Sequence, residues 1–455
     1  MTKIINMTEG KPIKLIIRFA IPLVIGNLFQ QIYTLADRII VGQYVGTHAF
    51  SAVGSTNALS NMFMSMCMGA AIGTGVVVSQ YFGAKNEEKT ASAIANGAYF
   101  NVVMAVIMTI LALIFTSPAL RALNTPESLM ADASSYMKIY MGGLIAVAAY
   151  YTPFSILRAL GDSRTPLIFL ILCSVLNIVL DLIFVIPLGM GVNGAAIATV
   201  LSQAIAAILC IIYAFKKIKY FRMAVKYSKF DKNLFFKVVK MGIPAGFQYA
   251  LVYTSSVILQ RVVNGFGTNT IGAFTATTQI EMFVQQIYSA IGAAIVTFTG
   301  QNIGAGKVDR VKEGMKSSLE VSAVISVVLL IVFWLFGRNI MGIFVPDNEV
   351  VSIAYLGIRI TSIFFMGLGA SQIVRFLLNG AGDSMYAMAN GGVEILGRVV
   401  FAFLLTSIPA IGVWGIWLTT GLTWTLTALF ALWRYRSGAW MSKSLVSDIK
   451  NKEKI

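Results

Sequence analysis

The sequence predicts an all-α integral membrane protein, with twelve transmembrane helices in two parallel six-helix repeats forming two lobes around a central cleft. Three observations lead there. The chain of 455 residues is 57% hydrophobic and only 12% charged, with a mean hydropathy of +0.78, too little polar surface for a soluble globule of this length. About twelve apolar windows follow one another, each long enough for the roughly 20 residues that a spanning helix needs. The chain also repeats itself: Gln80, Gly83 and Ala84 recur as Gln301, Gly304 and Ala305, 221 residues later (301 − 80). The same offset relates Gly46-Thr47 to Gly267-Thr268, Gly161-Asp162-Ser163 to Gly382-Asp383-Ser384, and Gly191 and Gly194 to Gly412 and Gly415. A constant phase over most of the chain means duplication. A closed β-barrel would instead show short alternating strands.

In the first half the windows centre near Leu28, Met68, Met108, Leu144, Val175 and Ile205. The first carries Pro22, which removes a backbone donor and bends a membrane helix or gives it a fixed kink. It continues with Gln30, Tyr33, Thr34 and Asp37, whose spacings return them to one helix face. The second holds Gly69, Gly73 and Gly75, the residue type that lets helices approach closely. Asn177 and Asp181 lie four apart on the fifth, and Thr199, Ser202 and Gln203 form a polar stripe on the sixth. The expected amino-terminal lobe is residues 1–219. Residues 220–237, basic and partly amphipathic, are expected to form an interfacial linker.

The second half, expected to form a lobe of residues 238–435, has windows near Val252, Ile291, Val327, Phe365, Val400 and Thr425. Pro244 stands where Pro22 does. Glu281 shares the eighth helix with Gln285 and Gln286; it could attract a cationic substrate or be satisfied by an arginine such as Arg375. Glu394 and Arg398, four apart on the eleventh, read as an internal ion pair. Residues 436–455 turn polar and charged, a tail expected to fray or lie on lipid headgroups.

Lys and Arg orient the bundle, because cytoplasmic connections retain positive charge. Lys216, Lys217, Lys219, Arg222, Lys226, Lys229, Lys232, Lys237 and Lys240 cluster after the sixth window, and Lys85, Lys89, Arg158, Arg164, Lys307, Arg310, Lys312 and Lys316 fall in other even-numbered connections. Both termini are therefore expected in the cytoplasm, with the chain multi-pass in the cell (inner) membrane and no removable signal peptide. The net charge of +16 is spread over these connections and not gathered in one patch, which points to anionic lipid and away from nucleic acid. Cys67, Cys173 and Cys210 lie in apolar windows without metal-ligand spacing and read as packing residues. The single His48 falls near the outer end of the first helix, where it is solvated.

Acids inside a membrane span mark ion or proton pathways unless they are paired. If Asp37, Asp181, Asn177 and Thr199 converge, the two carboxylates cannot both stay charged cheaply; they share a proton or hold a cation such as Na⁺. Alternatively each acid pairs with an arginine or a helix end; Arg38 adjoins Asp37, but helix neighbours one apart point differently. The second half lacks this cluster: at the 221 offset Asn177 falls on Arg398, Asp181 on Ala402 and Asp37 on Ile258.

Ile21-Pro22, the run from Asn27 to Gly42, the loop from Gln80 to Ala84 and the segment from Leu157 to Asp162 resemble the multidrug and toxic compound extrusion (MATE) family, nearly end to end. The resemblance implies a two-lobed exporter of organic cations or amphipathic drugs, acting as a monomer by antiport with H⁺ or Na⁺ and needing no cofactor. It implies that Asp37, Asn177, Asp181 and Thr199 form the amino-lobe cation site. Gln30, Tyr33, Thr34, Gln248, Tyr253 and Glu281 are the expected substrate-cleft residues. Where the NorM-type branch has a Glu and an Asp in the second lobe, this chain has about Val252 and Leu368, so DinF-like behaviour is the better match. The alternative is a lipid or oligosaccharide flippase of a related two-lobed class; scarce mid-helix cations in the first lobe count against it. A passive channel would carry uncoupled flux. An enzyme or ATP-driven pump is not indicated, since there is no Walker motif, metal-ligand cluster or paired nucleophile and base.

Overall fold

A computed structural model of the chain describes residues 4–446, apart from residue 124 and the side chain of Arg38. Among the described residues all regular structure is helical. The first half comprises α1 (Pro12–Ile40, prolonged by a π turn at Val41–Val45), α2 (Thr47–Gly83), α3 (Glu87–Ala122), α4 (Glu127–Gly142), α5 (Leu144–Ala159), α6 (Arg164–Val185) and α7 (Gly191–Lys217). A short α8 (Lys219–Lys226) leads to α9 (Lys232–Val263), α10 (Thr268–Gly304), α11 (Val308–Phe344), α12 (Asn348–Ile363), α13 (Phe365–Ala381), α14 (Ser384–Thr406) and α15 (Gly415–Arg436). The starts of α10, α11, α12 and α13 follow those of α2, α3, α4 and α5 by the same 221 residues (268 − 47), so the sequence repeat is a structural one.

Among the described residues nine helices are long and apolar enough to cross a membrane, and the bent pairs α4–α5 and α12–α13 bring the number to eleven. Helix α9, the counterpart of α1, is 32 residues long but more polar, with Gln248, Tyr249, Tyr253, Thr254 and Ser256 along it.

The breaks do not fall at the expected prolines. Helices α1 and α9 run on through Pro22 and Pro244, because a helix held by neighbours tolerates the loss of one donor. The chain instead turns by 46° between α4 and α5 and by 51° between α12 and α13, close to the centres of the fourth and tenth apolar windows. At the first break the Gly143 N–H is shared between the Ile139 and Tyr140 carbonyls, a tightened last turn. A Cβ there would stand 2.3 Å from Val200, so glycine lets α7 press into the bend.

Within each lobe α2, α3, α5, α6 and α7, and likewise α10, α11, α13, α14 and α15, enclose a core; α2 then packs along α9 and α10, and α1 along α10, to join the lobes. Small residues permit this. A Cβ on Gly69 would stand 2.1 Å from the Gly246 nitrogen and one on Gly73 2.4 Å from the Gly242 nitrogen. Near the helix ends on the side of both chain termini the contact is reciprocal: a Cβ on Gly83 would lie 2.0 Å from the Gln301 carbonyl oxygen, and one on Gly304 1.9 Å from that of Gln80. Toward the opposite end, Tyr253, Thr254, Ser256 and Val257 of α9 are exposed.

Between the repeats the chain forms a short amphipathic helix and then enters α9. Helix α8 buries Tyr220, Phe221 and Ala224 against α3 and exposes Lys219, Arg222 and Lys226, while residues 232–237 already belong to α9. Lys219 pairs with Glu87 of α3. Asp231 caps α9, accepting from the Asn233 and Leu234 amides at 3.0 and 3.1 Å and from the Lys89 ammonium at 3.0 Å. Burial pulls the pKa of its carboxyl up, but these donors outweigh burial and hold it below the usual carboxylate value. A depressed folded-state value means the contribution is complete above the unfolded pKa and is lost as pH falls through the folded one. Asp231→Ala is therefore expected to lower stability by about 1 kcal/mol at neutral pH, with the gap from wild type narrowing in acid. Thermal melts in detergent across pH check this.

The tail corrects a further expectation. Residues 439–446 do not fray: Trp440 is fully buried and stacks on Tyr435 with ring centroids 5.5 Å apart, and Leu445 and Val446 enter a core with Tyr81, Phe221 and Leu234. Residues 447–455 lie outside the described residues.

Candidate functional site

The polar face of α1 meets α6 inside the first lobe, and α6 in turn packs on α7. Asp181 is fully enclosed, Asn177 and Ser202 are 1% exposed and Gln203 is 4% exposed. The carboxyl of Asp181 is met by that of Asp37, which reaches it from α1. Asn177 donates through Nδ2 to Thr199 Oγ1 at 3.4 Å, and that hydroxyl in turn donates to the Ala195 carbonyl at 3.0 Å. Among the described residues no donor reaches either oxygen of Asp181, Oδ1 of Asn177 or Oε1 of Gln203. The four residues proposed from sequence as one cluster are thus brought to one place, with acceptor atoms in excess. The side chain of Arg38, the arginine adjacent to Asp37, lies outside the described residues.

Beside this pocket runs a band of tyrosines. Tyr33, half-buried on α1, lies in the electrostatic neighbourhood of Asp37, Tyr140, Tyr151 and Cys173. Gln30 lies beside Tyr151, and Tyr253 from the second lobe lies near both Tyr140 and Tyr151. Thr34 turns its hydroxyl back to the Gln30 carbonyl at 2.9 Å. Tyr33 of the first lobe and Tyr253 of the second therefore belong to the same band, with Gln30 and Thr34 on the helix that carries Tyr33. Sequence reasoning passed over Tyr140, Tyr150, Tyr151 and Tyr249, because a lone tyrosine in an apolar window reads as core; their clustering on facing helices is visible only in three dimensions. Arg158 also lies deeper than its place in a basic connection suggests, half-buried near Tyr150, Tyr151 and Tyr249.

Gln248 and Glu281 are elsewhere. Gln248 is fully enclosed and accepts from Asn379 at 3.3 Å. Glu281, 4% exposed, lies against Thr361 and Arg398 inside the second lobe. Both expected substrate-cleft residues are thus buried in this conformation, with partners inside the second lobe. Glu281 faces Arg398, not the Arg375 suggested from sequence; Arg375 instead reaches Glu394 at 3.8 Å. The expected pair of Glu394 and Arg398 is formed at 3.3 Å. Val252 is half-buried and Leu368 buried, and neither supplies an oxygen ligand. His48 lies 3.5 Å from Asp132 on the surface. Among the described residues no group of three or more His, Cys, Asp or Glu is placed to hold a metal ion.

The MatE family model matches residues 22–183 and again residues 244–404, one copy in each structural repeat and well over half the chain together. Probable multidrug resistance protein YoeA of Bacillus subtilis is 28% identical over 442 residues, covering 95% of each chain. Multidrug export protein MepA of Staphylococcus saprophyticus is 24% identical, covering 90% of this chain and 88% of its own. Among solved structures, a MATE protein in complex with MaL6 superposes with a TM-score of 0.91 at 22% identity, over 97% of this chain and all of the other. A MATE family transporter described as outward-facing superposes with a TM-score of 0.89 at 22% identity, over 97% of this chain and 99% of the other. With two copies of the family's unit in the two halves of a two-lobed helical membrane protein, the chain belongs to the MatE family and is a MATE transporter.

Proposed function

We propose that this protein is a secondary active antiporter that exports organic cations or amphipathic drugs in exchange for H⁺ or Na⁺, with a coupling site in the first lobe as in DinF-like members. The observation that carries the reading is the meeting of Asp37 and Asp181 in a buried pocket where no donor reaches Asp181. Asp181, enclosed with a second carboxyl against it and no donor on either oxygen, is stabilised by a proton or by a cation beside it. Asn177 and Thr199 add hard oxygen atoms suited to Na⁺. The second lobe has Arg398 at the repeat position of Asn177, so a tethered cation stands where the first lobe would bind a free one.

In this reading twelve spans lie in the cell membrane with the terminus-bearing end in the cytoplasm, and the monomer alternates its cleft between the two sides. Close packing at Gly83 and Gly304 at the terminus-bearing end supports an outward-facing assignment for the described conformation. Drug sits between the lobes against Gln30, Tyr33, Thr34 and Tyr253. Entry of the cation into the pocket shifts α1 and lowers the affinity for drug. The test is efflux of a cationic dye from proteoliposomes with Na⁺ and pH gradients imposed separately. One gradient is expected to drive efflux; a rate indifferent to both removes the antiport reading.

A further inference from the structure

The repeat places Gln80 and Gln301 at matching positions, and both side chains are fully buried where the lobes touch. Their hydrogen bonds repeat as well. Nε2 of Gln301, in the second lobe, donates to the Ala159 carbonyl of the first at 2.9 Å. Nε2 of Gln80, in the first lobe, donates to the Gly380 carbonyl of the second, also at 2.9 Å; Ala159 and Gly380 are themselves 221 apart (380 − 159). Each amide oxygen then holds a chain end: Gln301 Oε1 accepts from the Met7 N–H at 3.0 Å, and Gln80 Oε1 from the Leu445 N–H at 2.8 Å.

The two terminal segments also sit alike on the repeats. Gly161 and Gly382 have φ of +95° and +98°, and a Cβ on them would lie 2.2 Å from the Ile5 carbonyl oxygen and 2.5 Å from that of Lys443. Both seats need glycine, for conformation and for room. Basic side chains secure these segments: Lys307 and Arg310 donate to the Thr8 and Gly10 carbonyls at 3.0 and 2.9 Å, and Lys237 to the Leu445 carbonyl at 2.6 Å. Met7 and Trp440 anchor them as fully buried side chains.

We propose that Gln80 and Gln301 are a two-fold pair of gate-positioning residues, and that residues 5–8 and 443–446 are straps that latch the lobes together at the terminus-bearing end. The inference rests on the alternating-access reading above. Separating the lobes at that end would withdraw each glutamine from a carbonyl of the opposite lobe and pull a strap away from its buried partner. The latch adds a cost to opening that end and none to opening the other, and so biases the resting state toward the conformation described here.

Access is read from one cysteine introduced at Thr34 beside the native Cys67, Cys173 and Cys210, which are all buried, and efflux is read in matching chains that keep Thr34. Labelling by an impermeant maleimide is measured from each face of oriented vesicles, with and without the driving gradient. Gln80→Leu and Gln301→Leu are each expected to raise labelling from the terminus-bearing face about tenfold, the scale of one buried hydrogen bond lost, and removal of residues 443–455 is expected to do the same. A reversible constraint separates loss of the latch from loss of the fold: cysteines replacing Thr8 and Lys307 are joined by a cleavable bis-maleimide. The joined protein is expected to lose both efflux and labelling from the terminus-bearing face and to regain both on cleavage. Full efflux with the join intact overturns the latch and leaves antiport standing. No labelling from that face with every latch removed sinks the latch together with the rocking reading.

Discussion

Asp181→Asn is expected to abolish gradient-driven dye efflux while the protein still folds and reaches the membrane, and Asp37→Asn to do the same. Asparagine keeps the shape of the side chain and removes its charge. In the native pocket the half-buried Asp37 carboxyl meets the fully enclosed Asp181 carboxyl, beside Asn177 and Thr199. Two unit negative charges about 4 Å apart repel by about 4 kcal/mol at an effective dielectric constant of 20. A proton or Na⁺ that relieves this repulsion in one conformation and not in the other supplies the differential affinity that any coupled shift requires. The membrane potential adds about 2.3 kcal/mol per 100 mV for each elementary charge carried through it. With Asn at either position there is one carboxyl, no repulsion to relieve and no reason for the ion to prefer one state. The amide can also donate to the remaining carboxyl, so the unfolding temperature should hold or rise. Efflux and melting measured on the same preparation separate the outcomes. Loss of efflux with an intact melt supports the assignment; full efflux by both variants removes it.

That pocket was legible in the sequence because its members obey helix spacing. Asn177 and Asp181 are four apart, and Gln30, Tyr33, Thr34 and Asp37 share a face, so each helix announces its polar stripe. That three stripes converge followed from the shortage of places to hide an acid in lipid. The duplicated architecture was legible for a different reason: the glycines that recur at 221 residues sit at close helix contacts and left-handed turns, where backbone geometry admits little else. What stayed hidden was relational. Glu281 and Gln248 look like candidate ligands along their helices, yet both turn into the second lobe, and nothing local to either residue reveals that Arg398 or Asn379 is waiting there. The tail from residue 439 has a polar composition and reads as frayed; its order comes from Trp440 and Leu445, two apolar residues among many charged ones, and from a glutamine 365 positions away. The bends escaped notice because proline advertises a kink and Gly143 does not.

The second lobe yields the other large effect. Glu281, Glu394, Arg375 and Arg398 are each no more than 7% exposed, two acids balanced by two guanidiniums. Glu394 is shared by Arg398 at 3.3 Å and Arg375 at 3.8 Å, and Glu281 lies beside Arg398 and Thr361. Removing one member of such a set leaves a buried charge without compensation, so Arg398→Met is expected to destabilise the protein by about 3–5 kcal/mol. The loss should come from the stranded acid more than from lost packing, since Met fills much of the same volume. If Glu281 is that acid, Arg398→Met combined with Glu281→Gln restores the balance, leaving Glu394 with Arg375, and should recover a large part of the loss, with a coupling of about 1–3 kcal/mol between the sites. Unfolding of the wild type, both single variants and the double variant in one detergent closes the cycle. Additive losses would mean that Arg398 serves Glu394 alone. A recovery would mean that the second lobe carries its own cation at the position where the first leaves acids exposed to a mobile one, and it would explain in charge terms why only one of two duplicated lobes needs an ion from outside.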